Sequence, residues 1–326
     1  MLRVLELALL ALAIALPTFT ARSDVLNLLF LVYVYIALAQ SWNIVGGFAG
    51  QINLGHAAFF GIGALATRSL WINGWPIWLA LGCGGGAALL FALIIGVPTF
   101  RLRGVYFAIG TLGLAEALRI TIGNALPLVS ALPTEYVATY DLRVRYELAL
   151  GLAVAAIAAT WWLGRSRLGL GLVAVREDEE AARATGVDAL RHKLVALGLS
   201  SLLAGLAGGT FAFYHVSYYP ELPFSPTWTF DALLSTYVGG VGTLWGPVVG
   251  AAFYIIVREQ LAVSLVQAHQ IIFGALFIVV VLALPGGLLD GWTRLQPRIA
   301  NPLRRTVPAR GETPPVRGST GSPRTG

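Results

Sequence analysis

The sequence predicts an all-α polytopic membrane protein of about ten transmembrane helices, some broken by glycine and proline, with both termini cytoplasmic. Three observations carry this. The 326 residues have a mean hydropathy of +0.75 and only 12% of them are charged, against roughly 25% in a soluble domain. Apolar runs close to the ~20 residues that cross a bilayer recur along the chain. The basic residues gather on alternate connections, as membrane orientation requires. The net charge of +6 is therefore read as topology: the arginines sit in short loops and one tail, so no nucleic-acid surface is expected and the lipid bilayer is the surrounding medium.

Taken in order, the spans lie near 4–21, 25–45, 53–72, 76–97, 104–123, 146–163, 193–214, 228–241, 246–263 and 268–284. The segment 228–241 is short for a straight crossing and is read as broken or tilted. With the N-terminus inside, sixteen of the 22 Lys and Arg residues face the cytoplasm, in the loops around Arg101, Arg176 and Arg191 and in the C-terminal tail. The remaining six are Arg22, Arg68, Arg119, Arg143, Arg145 and Arg258. That bias holds only for an even number of crossings, so 228–241 must count as one. Residues 1–21 also have the shape of a signal peptide, with Arg3 before the apolar run and Thr20-Ala21 after it; the charge bias is the same with or without them. The organisation expected is one transmembrane domain over 1–296, with a cytoplasmic loop at 164–192. A disordered basic tail over 297–326, rich in Pro, Gly, Arg, Ser and Thr, follows it.

Between the sixth and seventh spans lies the one long polar run, Arg165 to Lys193. Glu177, Asp178, Glu179 and Glu180 crowd what reads as the first turn of a short helix, where the dipole favours negative charge. Ala181, Ala182 and Arg183 continue it, and Gly186 is placed to close it in a left-handed conformation. A charged helix of about two turns is too short to be a domain by itself. It reads as a docking surface for another protein.

The second informative stretch is Gly46-Gly-Phe-Ala-Gly-Gln-Ile-Asn-Leu-Gly-His-Ala-Ala-Phe-Phe-Gly-Ile-Gly-Ala64. Glycines cost a helix about 1 kcal/mol each against alanine, so Gly46, Gly47 and Gly50 predict broken backbone. At membrane depth such backbone must be buried in protein or line a water-filled cavity. Gln51, Asn53 and His56 are the candidate pathway residues, with Asn53 and His56 expected on one face of the helix that follows; packing bonds to a neighbour are the alternative. Gly50, Gly55 and Gly61 are candidate hinge or packing positions, and Ala57 with Gly61 has the small-xxx-small spacing of close helix contact. A comparable stretch recurs at Gly239 to Gly250, where Gly242, Gly246 and Gly250 form a ridge spaced by four and Pro247 is expected to interrupt the ladder. Two such segments suggest a distant internal repeat about a central path. Gly205 with Gly209 reads as another seam, and Gly82 to Gly86 as a flexible patch.

Glu116 and Arg119, three apart, read as a structural ion pair on a helix surface. Asp231, shortly after Ser225-Pro226, reads as a contributor to a helix N-terminus. The lone Cys83 allows no intrachain disulfide, the four histidines lack metal-ligand spacing, and no cofactor is expected. A phosphate-binding Gly-x-x-x-x-Gly-Lys-Ser/Thr loop is impossible because the single lysine is Lys193, behind His192. No hydrolase elbow or His-Glu-x-x-His pair occurs either, so this chain is not expected to be an enzyme.

These stretches together resemble the permease subunits of the branched-chain amino-acid ABC importers, in particular the M-type permeases of leucine/isoleucine/valine uptake. Gly50 to Ala64 is similar to the family's signature, Arg101 to Arg119 to its second block, Arg176 to Gly186 to its cytoplasmic loop and Gly239 to Gly250 to its late glycine block. Coverage runs from about residue 26 to 292. Within the loop, Glu180-Ala-Ala-x-x-x-Gly186 fits the start of the coupling motif of importer permeases. The resemblance implies that this helix sits in a groove of a separate ABC ATPase subunit, which hydrolyses the ATP. It further implies a second permease subunit in a hetero-pair, an extracytoplasmic substrate-binding protein and a place in the bacterial inner membrane. Two features depart from the family: the motif's Ile-x-Leu-Pro ending is missing after Gly186, and the outer loop 123–145 lacks the usual Thr-Gly-Gly run. Branched-chain or related small amino acids are the implied cargo, with urea or short amides as the alternative and an ion-coupled secondary transporter as the rival mechanism.

Overall fold

The computed structural model describes residues 22–126, 130–138, 140–264 and 286–289, together with 11, 13–17, 274 and 278. The expected spans near 4–21 and 268–284, and the tail 297–326, lie wholly or largely outside the described residues. The helices are α1 (Ser23–Asn43), α2 (His56–Ile72), α3 (Ile77–Thr99), α4 (Val105–Ala125), α5 (Thr134–Ala138), α6 (Leu142–Arg165), α7 (Arg167–Glu177), α8 (Glu179–Ala184), α9 (Ala189–Tyr214), α10 (Pro226–Gly239) and α11 (Gly246–Ser264). Among the described residues, five are long and apolar enough to cross a membrane: α1 with its C-terminal extension to Phe48, α3, α4, α6 and α9. A two-residue pairing is the one departure from all-helical structure there. Strand β1 (Ser130–Ala131) runs antiparallel to β2 (Ser217–Tyr218), with Ser130 opposite Tyr218.

Helices α1 and α9 form the centre, and most of each is buried. Helix α9 packs on α2 and α3, while α1 packs on α6, α10 and α11. Small residues set the spacing. A β-carbon on Gly63 would sit 2.1 Å from the Gly205 carbonyl oxygen, and one on Gly208 would overlap the Phe60 carbonyl, so α2 and α9 touch backbone to backbone. Gly205 meets Ala88 and Gly209 meets Thr67, which makes the predicted seam a three-helix junction. The Gly82–Gly86 run is no break: it lies within continuous α3, where Gly84 and Gly85 face neighbours and Gly82 and Gly86 face open space. Cys83 is exposed on the same helix.

The far end of α9 is closed by two buried arginines. Arg68 donates to the carbonyls of Ala212, His215 and Val216, and Arg145 donates to that of Phe213. Both also lie over aromatic rings, Arg68 over Trp71 and Tyr218, Arg145 over Tyr140 and Phe213. Cations at the negative end of a helix dipole satisfy carbonyls that have no partner inside the helix. These side chains stabilise α9 where it leaves the bundle.

Helix α10 has 14 residues, about 21 Å at 1.5 Å per residue, short of the ~30 Å hydrocarbon thickness. Ser225 caps it, Pro226 occupies its first turn and Gly240, at φ +128°, ends it. An irregular stretch from Gly240 to Trp245 separates α10 from α11. Pro247 differs from expectation: it sits in the first turn of α11 rather than inside a ladder, a position where its missing N–H costs nothing.

Candidate functional site

The site is built where both glycine-interrupted segments meet the polar loop. Helix α1 ends in a π-helical turn, Ile44–Phe48, carrying Gly46 and Gly47. From α1, Asn43 reaches across to the second segment: its Oδ1 accepts from the Gly242 N–H at 2.8 Å and its Nδ2 donates to the Thr243 carbonyl at 2.9 Å. One turn earlier, Gln40 Nε2 donates to the Leu244 carbonyl at 2.7 Å. Two side-chain amides thus satisfy the irregular backbone of 242–244, which protein must cover at membrane depth. Gly242 itself needs its left-handed φ of +74°.

Arg176, in the last turn of α7, is wedged against both breaks. Its Nη1 donates to the Gly47 carbonyl at 2.8 Å. A β-carbon on Gly50, which has φ +66°, would lie 2.5 Å from Arg176 Cγ, and one on Gly242 would lie 3.2 Å from Arg176 Nη1. The glycines therefore do two jobs here: they adopt backbone conformations that side chains resist, and they leave room for the arginine. Two residues on, Asp178 takes extended backbone and caps α8, accepting from the N–H groups of Glu180 and Ala181 at 2.9 and 3.0 Å.

The expected charged helix is present with shifted bounds. Glu177 ends α7, Asp178 is the cap, and only Glu179 and Glu180 lie in the first turn. A side-chain cap outcompetes continued helix at Asp178 because aspartate accepts two otherwise unpaired donors. Gly186 closes the helix at φ +89°. Its N–H bonds the Arg183 carbonyl, that of Val187 bonds the Ala182 carbonyl, and Val187 packs near buried Ala182, the full Schellman arrangement. Glu179 anchors α8 to the bundle through Lys193 at 2.6 Å and to its own helix through Arg183 at 2.6 Å. Burial works to raise the Glu179 carboxyl, but Lys193, Arg183 and Arg103 together hold it below the ordinary carboxylate value. Glu180 and Arg183 remain exposed.

Asn53 and His56 do not share a helical face. Asn53 precedes α2 and folds back, its Oδ1 accepting from the Gly55 N–H, while its carbonyl accepts from Trp42 Nε1. His56, the first residue of α2, lies 2.7 Å from Ser41 Oγ through Nε2. Ser41 spends its own proton on the Leu38 carbonyl, so the imidazole proton is assigned to Nε2. Both residues are fully enclosed, and their Asn53 Nδ2 and His56 Nδ1 atoms have no partner. Gln51 lies nearer the surface, with Nε2 on the Ala49 carbonyl at 3.3 Å. Gly55 passes against the Thr111 carbonyl and Gly61 against the Phe224 ring, while Gly246 and Gly250 meet the Gly240 and Ser235 carbonyls. The ridge spaced by four is therefore two helical contacts plus one turn, since Gly242 precedes α11.

Glu116 and Arg119 form the expected pair at 2.6 Å, joined by Glu221 on the far side of Arg119. Asp231 corrects the sequence reading: it contributes nothing to the α10 cap, which Ser225 supplies. It lies in the second turn, buried, where its carboxylate accepts from Tyr35, Tyr254 and Arg258. Nothing local in the sequence connects these four, which are brought together from α1, α10 and α11.

The family described as "Branched-chain amino acid transport system / permease component" matches residues 25–281. The chain belongs to this family. It is 31% identical to the high-affinity branched-chain amino acid transport system permease protein LivM of Escherichia coli strain K12, over 90% of this chain and 76% of that protein. The corresponding LivM of Salmonella typhimurium is 29% identical over 87% of this chain and 74% of its own. The probable branched-chain amino acid transport permease protein LivM of Methanocaldococcus jannaschii is 22% identical, covering 87% of this chain and 97% of its own length. No solved structure matches. The chain is a multi-pass membrane protein of a transport-permease family and not of an enzyme family.

Sequence reasoning found the loop helix, both glycine breaks and the Glu116–Arg119 pair. It missed Gln40 and Asn43, whose signal was available as two amides three apart just before a glycine pair. It also missed Arg176 as a contact between loop and bundle, and Arg258 as the partner of Asp231.

Proposed function

We propose that this chain is the transmembrane permease subunit of an ATP-driven ABC importer, forming the path for branched-chain or related small amino acids delivered by a substrate-binding protein. The names of its relatives supply the cargo class. ATP is hydrolysed by a separate subunit, which grips α8 from the cytoplasm. Ten crossings place both termini on that side, in the inner membrane of a bacterium. A second, different permease completes the path.

The observation that carries the coupling is the Arg176–Gly47 bond. Helix α8 begins three residues beyond Arg176, so a push on α8 is delivered to the point where α1 and the α10–α11 turn are already broken. Packed interfaces respond to such a push by switching between discrete arrangements rather than by bending. The exposed Glu180 and Arg183 are the side chains offered to the ATPase groove. The enclosed Asn53 and His56 favour an architectural part, holding α1 and α2 together, over contact with cargo.

The test is reconstitution in proteoliposomes with the ATPases, the second permease and the binding protein. ATP-dependent uptake of L-leucine is expected, with Glu180→Arg abolishing uptake while leaving insertion normal. Leucine uptake driven by an ion gradient without any ATPase, or uptake of urea in place of leucine, would overturn the proposal.

A further inference from the structure

Arg258 stands out among the charged groups of the membrane helices. It is the thirteenth residue of α11, about 18 Å along a helix rising 1.5 Å per residue, within the span that the sequence predicts at 246–263. Its Nη1 donates to Asp231 Oδ2 at 2.9 Å and to Tyr35 OH at 2.8 Å. Asp231 also accepts from Tyr35 and Tyr254, so both its oxygens are engaged. Its side chain is only 6% exposed. The cluster therefore fixes one edge of the guanidinium rigidly and leaves no acceptor there for anything else.

The other edge is unspent. A guanidinium carries five N–H donors; the two on Nη1 are used, while those on Nε and Nη2 have no partner among the described residues. The Arg258 side chain is 40% exposed. Lipid cannot satisfy these donors, and a charged group left with unmet donors in hydrocarbon is costly. Intramembrane arginines pair with acids or backbone carbonyls, as Arg68 and Arg145 do, or face a water-filled path or a binding site; the exposed edge of Arg258 fits the second case. Nε and Nη2 form the planar fork that matches a carboxylate with two parallel hydrogen bonds.

We infer that the Nε–Nη2 edge of Arg258, held in place by Asp231, Tyr35 and Tyr254, is a transient binding site for the α-carboxylate of the transported amino acid. The inference rests on the function proposed above and adds a recognition point inside the membrane. Asp231 balances the arginine charge and blunts its pull, so the carboxylate is held without being trapped, as conduction through a site demands. Trp228 lies 5.5 Å from Tyr35, which places a fluorescent reporter beside the cluster.

The experiment uses the complete complex with three variants: Arg258→Lys, which keeps the charge opposite Asp231 but loses the fork, Arg258→Gln, and Asp231→Asn with Arg258→Gln together. The probes are L-leucine and L-leucinamide, which differ at the carboxyl group. The readouts are leucine uptake, ATPase stimulation by the loaded binding protein, and tryptophan fluorescence of the complex without binding protein. In the unaltered complex, leucine should change the fluorescence saturably and leucinamide should not. Arg258→Lys should keep the stimulated ATPase rate and lose leucine uptake by about tenfold or more, the worth of a charge-assisted bidentate contact. The double variant, which buries no unpaired carboxylate, should show the same loss. Equal responses to leucine and leucinamide, or leucine uptake unchanged in both Arg258→Lys and the double variant, would overturn the inference while leaving the importer function standing. Dissociation of the permease pair in Arg258→Lys with leucine binding retained would assign the fork to a carboxylate of the neighbouring subunit, and would also overturn it. Absence of leucine transport by the unaltered complex would remove the proposed function and this site with it.

Discussion

Replacing Arg176 with alanine tests the link between polar loop and bundle directly. The change removes a charged donor 2.8 Å from the Gly47 carbonyl and vacates the space that Gly50 and Gly242 leave for the side chain. A hydrogen bond to a charged group contributes about 1.5–3 kcal/mol. The Arg176 side chain is 36% exposed, which places it near the lower bound. The accompanying contact with Glu177, itself 68% exposed, adds little. A loss of about 1.5 kcal/mol corresponds to about tenfold in an equilibrium. If the bond transmits the motion of α8, ATP hydrolysis should continue at its stimulated rate while leucine imported per ATP falls by about that factor. Paired measurements of phosphate release and labelled leucine uptake in proteoliposomes give this ratio. Arg176→Lys, which retains a donor without the fork, should fall between. An unchanged ratio in Arg176→Ala, with both rates intact, would refute the reasoning, because the only described side-chain bond from the end of α7 to the π-turn would then be idle.

Three further outcomes follow from the packing and charge. Gly250→Ala places a β-carbon 1.9 Å from the Ser235 carbonyl oxygen and should lower stability by roughly 1–3 kcal/mol; Gly82→Ala, with nothing within 4 Å, should leave it unchanged or raise it, and thermal unfolding in detergent compares the two. Glu179 has its carboxyl held below the ordinary value of 4.5, so its contribution is present above that value and lost as pH falls through the lower folded one. Hydrogen-exchange protection factors across 179–187, taken relative to the intrinsic rate at each pH, should therefore stay flat from neutral pH to about pH 5 and fall only below the usual carboxylate range, and Glu179→Gln should abolish that fall; a transition near pH 6.5 would point to a histidine instead. Asn43→Leu leaves the Gly242 N–H and Thr243 carbonyl without their partners, each worth about 1–3 kcal/mol when buried, and should destabilise the complex more than Gln51→Leu, whose amide makes one long local contact; melting temperatures of the two variants decide it.

The sequence by itself determined the membrane class and the two glycine breaks at Gly46–Gly50 and Gly239–Gly242, because hydropathy, charge and glycine act over a few consecutive residues. The loop helix was legible for the same reason: Asp178 and Gly186 are local start and stop signals, and the error at Glu177 was a matter of one cap outcompeting one more turn. The Gly82–Gly86 run was misread because its neighbours on other helices hold it in a continuous helix. Asp231 was misread because its neighbours in sequence, Ser225 and Pro226, describe a helix start, whereas its partners Tyr35, Tyr254 and Arg258 lie on other helices. Arg176 could be seen as basic but not as a wedge, since its contacts with Gly47, Gly50 and Gly242 span more than sixty residues in one direction and more than a hundred in the other. Tertiary structure alone decided these pairings. A buried polar group must find its partner wherever folding brings one within about 3 Å, and that distance is not written in the order of the residues.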